Sequence, residues 1–216
     1  MDDYYFSDRL SGAKRLYDEL SLDILEDATI IVLALSDGAV PIADYIATKM
    51  GIDMDVLLSE AIYSSKNPDL EIARVSETQE VLIHKTLTDS FGVNEEFIYD
   101  EARSIFEDKL LYKINKYRKG AFLDRFDEKT VLLVDECVET DFTMMLAIKT
   151  AIENGARNIY VAAPIMDQFS YENLVMASDG VFCVYRKNDY ISIEYYYEKL
   201  QKVEFSDIER ILTKYE

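Results

Sequence analysis

The chain has 216 residues, 49% of them apolar, enough for one substantial core and a single domain. Its 42 acidic and 23 basic residues give a net charge of −19, which repels nucleic acid and anionic membranes, and repels free anionic ligands unless a local basic pocket exists. No run of about 18 apolar residues is present to span a membrane, the acidic start Met-Asp-Asp-Tyr-Tyr does not read as a secretory signal, and Cys137 and Cys183 make no disulfide framework, so a reducing cytoplasm is the simplest compartment.

In chain order, Leu10, Ala13, Leu16, Tyr17 and Leu20 share one face of a helix over Ser7 to Leu20, with Ser7 as its N-cap. Thr29 to Leu35 is continuously apolar, as in a strand buried on both faces of a parallel sheet. Ser36-Asp37-Gly38-Ala39 turns into a helix with Pro41 in its first turn and a stop at Gly51. Asp55 to Ser59 reads as a short strand and Tyr63 to Asp69 as a loop, while Glu71 to Val75 and Glu80 to His84 read as a hairpin. Asn94 caps a long helix to about Arg118, and Lys119 to Lys129 connects it to a second apolar strand, Thr130 to Val134. A helix over Phe142 to Asn154 follows, then a strand over Asn158 to Ala163 closed by Pro164, a helix over Tyr171 to Ala177 and a strand over Val181 to Tyr185. Ile191 to Tyr197 reads as an edge strand, and Ser206 caps a last helix, Asp207 to Thr213. Strands alternating with helices define an α/β fold, a mostly parallel sheet flanked by helices.

In such a fold, ligands bind at the carboxyl ends of the strands and the N-termini of the helices. Asp135 and Glu136 stand at a strand end, where adjacent carboxylates can accept bonds from a sugar diol, and Thr140 and Thr143 stand where the next helix begins. An apolar strand ending in two acidic residues and followed by a Thr-x-x-Thr turn resembles the ribose-phosphate loop of the type I phosphoribosyltransferases. Phe6-Ser7-Asp8-Arg9 resembles that family's opening helix, and Leu35 to Ala43 resembles its pyrophosphate loop. Asn67 to Ile72, and Tyr196-Tyr197-Glu198 with Ser206-Asp207, resemble motifs of one bacterial subgroup.

The resemblance implies one domain over 1–216, with a core over about 27–60 and 128–186 and a small hood from about 1–20, 61–90 and 190–216. It implies transfer of phosphoribose from phosphoribosyl pyrophosphate to a base or other nucleophile, assisted by Mg²⁺. Asp135 and Glu136 would meet the ribose hydroxyls or the metal. Thr140, Asp141, Phe142 and Thr143 would meet the 5′-phosphate, and Ser36, Asp37, Gly38 and Ala39 the pyrophosphate.

Each phosphate-facing position departs from the family pattern. The turn glycine that lets N–H groups wrap the phosphate is Asp141 here, and the small residue before Thr140 is Glu139. The Arg-Gly-Gly of the pyrophosphate loop is Asp37-Gly38-Ala39, and a basic pair after the second strand is Ser59-Glu60. One carboxylate ~5 Å from a phosphate charge costs about 3 kcal/mol at an effective dielectric near 20, on the order of a hundredfold in affinity. The expectation is therefore impaired phosphoribosyl transfer. The alternatives are a non-catalytic binding or regulatory protein, or a divalent-cation site built from Asp37, Asp135, Glu136, Glu139 and Asp141.

Cys137, among carboxylates, is expected to be an inert thiol, and His84, next to Lys85, a surface residue. The single histidine excludes a His-clustered metal site. The 16 tyrosines, clustered at Tyr185, Tyr190 and Tyr195 to Tyr197, either pack on the core or hood or line a homodimer interface.

Overall fold

The structure, a computed structural model, describes residues 4–21 and 29–215. Residues 1–3 and 216 of the expected hood, and 27–28 of the expected core, lie outside the described residues. The central sheet is wholly parallel and contains β1 (Ile30–Ala34), β2 (Asp53–Val56), β6 (Thr130–Val134), β7 (Asn158–Asp167) and β8 (Gly180–Lys187), in the order β2-β1-β6-β7-β8. The order reverses between β1 and β6, which places the switch point of a doubly wound sheet there.

Alternation along the apolar strands feeds two cores. Val32, Ala34, Leu132, Val134 and Ala162 pack with α1 (Arg9–Glu19), α2 (Val40–Met50) and α9 (Phe205–Leu212). Leu33, Val131, Leu133, Val161 and Ala163 pack against the other face with α6 (Phe142–Glu153) and α7 (Gln168–Ala177). Because both faces are covered, the strands read as unbroken apolar runs rather than alternating ones.

A second, antiparallel sheet contains β3 (Ser59–Ser64), β4 (Asn67–Ser76) and β5 (Val81–Ile83). It is pinned to α6 by Lys149, which donates to the Val81 carbonyl at 2.9 Å and pairs with Glu80 at 3.1 Å. Next come α3 (Lys85–Phe91), α4 (Glu95–Ile105), a π-helical turn at Phe106–Leu110 and α5 (Leu111–Arg118). The buried residues Ile98, Ala102, Leu110 and Ile114 recur by fours or eights, so an ideal helix of 3.6 residues per turn would rotate them off the core. The wider π turn absorbs part of that drift. Arg118, at the end of α5, pairs with buried Glu77 and donates to Asp55 at 3.1 Å and to the Val56 carbonyl at 2.9 Å. Those bonds fix the end of the helix against β2 and the hairpin.

Several sequence expectations are corrected. The N-cap of α1 is Asp8, in a capping box with Ser11, and α9 starts after Glu204 rather than at Ser206. The strand expected at Asp55 to Ser59 splits into β2 and β3. The loop expected over Tyr63 to Asp69 shrinks to a tight turn, because register shifts near Tyr63 let β4 begin at Asn67. β7 runs through Pro164 to Asp167. β6 pairs with it only as far as Ala162, so the proline lies where one neighbouring strand has already ended. His84 follows the hairpin and precedes α3, a helix the sequence did not reveal. The edge strand expected at Ile191 to Tyr197 is a short helix, α8 (Ile193–Tyr196), because Tyr196 and Tyr197 are both buried rather than alternating. They pack with Phe6, Tyr5, Tyr185 and Tyr190, so this part of the tyrosine cluster is core.

Candidate ligand site at the switch point of the sheet

Two junctions face each other across the switch point, β1 to α2 and β6 to α6. The Ser36 hydroxyl joins them. It donates to Asp135 Oδ1 at 2.6 Å and accepts from the Ala39 amide at 3.1 Å. The same Oδ1 accepts from the Glu136 amide at 2.8 Å. Burial raises the Asp135 carboxyl to about 6, against the opposing pull of these two hydrogen bonds. The charge of Arg74 on β4 also favours its ionised form.

Glu136 reaches the other way. Its Oε2 accepts from Arg9 Nε at 2.6 Å, and its backbone carbonyl accepts from the Tyr197 hydroxyl at 3.2 Å. Its carboxyl group lies on the buried Gly38, where a Cβ would overlap it. In the pyrophosphate-like loop, therefore, a carboxylate occupies the space over the glycine. Asp37 accepts from the Tyr117 hydroxyl at 2.6 Å, and burial and this bond both raise the phenol's pKa.

The 137–143 turn is held by a bridge between Val138 and Met166. Cys137 is pushed up to about 12, first by burial and then by the charges of Asp135, Glu136 and Glu139 against a Tyr190 hydrogen bond, the direction expected of an inert thiol. Glu139 and Thr140 are exposed, and Ser170 donates to the Glu139 carbonyl at 3.2 Å. Asp141 accepts from Asn173 Nδ2 at 2.6 Å and makes no capping bond to α6. Phe142 stacks obliquely on exposed His84, 5.8 Å between centroids, and Thr143 is half-buried. Both α2 and α6 start without a side-chain cap, but Pro41 has no N–H and the Val40, Ile42 and Ala43 amides already donate to the Asp37 and Ala39 carbonyls, so it is the start of α6 that keeps the disposition favouring an anion.

Ser36, Asp135 and Glu136 are thus brought together, and Gly38 lies beneath them. Asp37, Glu139 and Asp141 are turned to separate partners or to solvent. Among the described residues no three His, Cys, Asp or Glu side chains are arranged to hold a metal ion. The positions lacking the expected basic pair are served from elsewhere. Ser59 accepts from Arg74 at 3.2 Å, and Glu60 pairs with Lys113 at 2.5 Å. No sequence signal pointed to Arg74, Tyr117 or Asn173, because each reaches its partner only through tertiary structure, and the motif containing Tyr197 did not indicate that its hydroxyl reaches Glu136. Arg9 lay in a recognisable segment, but nothing there indicated that it holds Glu136.

The parallel sheet and its flanking helices are those of the type I phosphoribosyltransferase fold. No family model matches the sequence. Two Mycobacterium tuberculosis proteins, each named "Putative phosphoribosyl transferase", are 22% identical over 184 residues. That match takes in 83% of this chain but only 40% of theirs. The crystal structure of TT1426 from Thermus thermophilus superposes with a TM-score of 0.78 at 24% identity, covering 97% of this chain and 98% of the other. A purine phosphoribosyltransferase from Pyrococcus horikoshii superposes with a TM-score of 0.50 at 13% identity, covering 88% and 91%. Among the described residues no helix is long and apolar enough to cross a membrane.

Proposed function

We propose that this protein keeps the phosphoribosyltransferase scaffold while phosphoribosyl transfer is weak or lost, and that it acts as a non-catalytic binding or regulatory protein. One observation carries the reading: the Glu136 carboxylate, clamped by Arg9, lies over Gly38 where a pyrophosphate would need the bare backbone. Glu139 and Asp141 add two carboxylates to the turn that would receive a 5′-phosphate. At about 3 kcal/mol each for a carboxylate ~5 Å from a phosphate charge, even two such repulsions exceed the free energy of a millimolar ligand.

By resemblance, Asp135 and Glu136 would meet the ribose hydroxyls, Thr140 to Thr143 the 5′-phosphate and Ser36 to Ala39 the pyrophosphate. Asp135 is committed to Ser36 and Glu136 to Arg9, so these residues do not fit a protein-only Mg²⁺ site. A second reading, surviving transfer, is favoured by the uncapped start of α6. Incubation with phosphoribosyl pyrophosphate, Mg²⁺ and a panel of purine and pyrimidine bases separates the two. Pyrophosphate release is expected to stay at the protein-free rate. Turnover that disappears in Asp135→Asn would overturn the first reading.

A further inference from the structure

The chain carries nearly two acidic residues for each basic one, yet one pocket inverts that balance. A cavity of about 500 Å³ lies between the starts of α1 and α2, the segment 199–203 and helix α9. Arg9, Lys199, Lys202 and Arg210 border it with two carboxylates, Asp8 and Asp207, so four cations outnumber the lining carboxylates, although Glu136 and Glu204 just outside the lining pair with Arg9 and Lys202. Both carboxylates are already engaged. Asp8 accepts from the Ser11 amide at 2.8 Å as the cap of α1, and Asp207 accepts from Arg210 at 2.9 Å. Among the described residues, Lys199 has no ion-pair partner, and Lys202 makes only an exposed ion pair with Glu204 at 3.8 Å. Arg9 donates to Glu136 and to the Gln201 carbonyl, which uses two of the five donors of a guanidinium.

We propose that this pocket binds a small phosphate-bearing anion, with room for one of nucleotide size. Lys199 and Lys202 supply charge, and Arg9 supplies a planar donor pair. Arg9 is also the residue that holds Glu136 over Gly38. An anion that recruits Arg9 competes with Glu136, which makes the pocket a regulatory site for the switch-point junctions. Binding stands on the pocket itself, while the link to Glu136 rests on the proposed reading of the switch-point site.

The test is calorimetry with sodium pyrophosphate, without Mg²⁺ and at low salt. The wild-type protein is expected to bind saturably in the sub-millimolar range, and the Lys199→Gln/Lys202→Gln variant at least tenfold more weakly. Both lysines are exposed, so that variant should fold normally, as circular dichroism would confirm. Absence of wild-type binding, or equal affinity in the lysine variant, overturns the pocket and leaves the switch-point reading standing. Binding lost in Ser36→Ala but kept in the lysine variant puts the anion on the 36–39 loop and overturns both. Glu136→Gln, which loosens the hold on Arg9, is expected to tighten pyrophosphate binding severalfold, and the tightening is expected to vanish in the Lys199→Gln/Lys202→Gln background, since relief of the switch-point obstruction would persist there. Unchanged affinity in Glu136→Gln, or tightening that persists in the lysine background, overturns the link between the two sites.

Discussion

The two strand-to-helix junctions at the switch point share a backbone plan and differ in what they carry. β1 passes to α2 through Leu35 to Ala39 and β6 to α6 through Asp135 to Asp141, and neither helix has a side-chain cap. The first junction contains a bare glycine and turns its polar groups to neighbours, Ser36 to Asp135 and Asp37 to Tyr117. The second carries Asp135, Glu136, Glu139 and Asp141. Three of those carboxylates are engaged by residues from outside the junction, Ser36, Arg9 and Asn173. An uncapped helix start such as that of α6 favours an anion. Which anions enter is decided by side chains that can change without disturbing the strand, the turn or the helix.

Substitutions that remove one side of this contrast should have graded effects. The largest is expected from Asp135→Asn. The folded-state pKa of about 6 lies above the ordinary 3.8, so stability from this group is fully present below about pH 4 and is lost as pH rises through 6. The amide avoids the buried charge and can still accept from Ser36. The variant should therefore gain up to about 3 kcal/mol at pH 7.5 and nothing below pH 4, measured by urea unfolding at each pH. If the gain is the same at both pH values, burial does not raise the pKa of this carboxyl.

Arg9→Ala leaves a half-buried Glu136 carboxylate without its cation and should cost about 2 kcal/mol. A cycle with Glu136→Ala should recover most of that loss as coupling, and additive losses would show that the pair is incidental. Gly38→Ala comes next, at about 1 kcal/mol, because the new methyl group displaces the Glu136 carboxylate from the buried glycine. The same change in a Glu136→Ala background should be close to neutral. Asn173→Ala, which frees Asp141 at the edge of the turn, should cost about 0.5 kcal/mol in thermal unfolding.

The parts of this contrast that were legible in the sequence are those set by local rules. Continuous apolar runs gave β1 and β6 to within a residue, and Gly51 stops α2 in the left-handed conformation at φ 67°. The acidic pair and the two threonines located the second junction. What stayed hidden depends on long-range partners. Glu77 reads as a turn residue, yet it is 2% exposed because Arg118 reaches it from α5. Tyr196 and Tyr197 read as alternating strand residues, yet both are buried against Phe6, a residue near the other end of the chain. Glu136 reads as a ribose ligand, and its bond to Arg9 and its place on Gly38, which the proposed obstruction rests on, are set only by tertiary structure.

The most direct measurement is the affinity for phosphoribosyl pyrophosphate with Mg²⁺, by calorimetry, of the wild-type chain and of the variant Glu136→Gln/Glu139→Ala/Asp141→Gly. That variant neutralises the obstruction and restores a glycine to the turn. The wild-type chain is expected to show no micromolar binding, and the variant to bind at least a hundredfold more tightly, as removal of one or more repulsions of about 3 kcal/mol requires. Micromolar binding by the wild type, lost in Asp135→Asn, or a variant no tighter than the wild type, would contradict the claim that these carboxylates close the site.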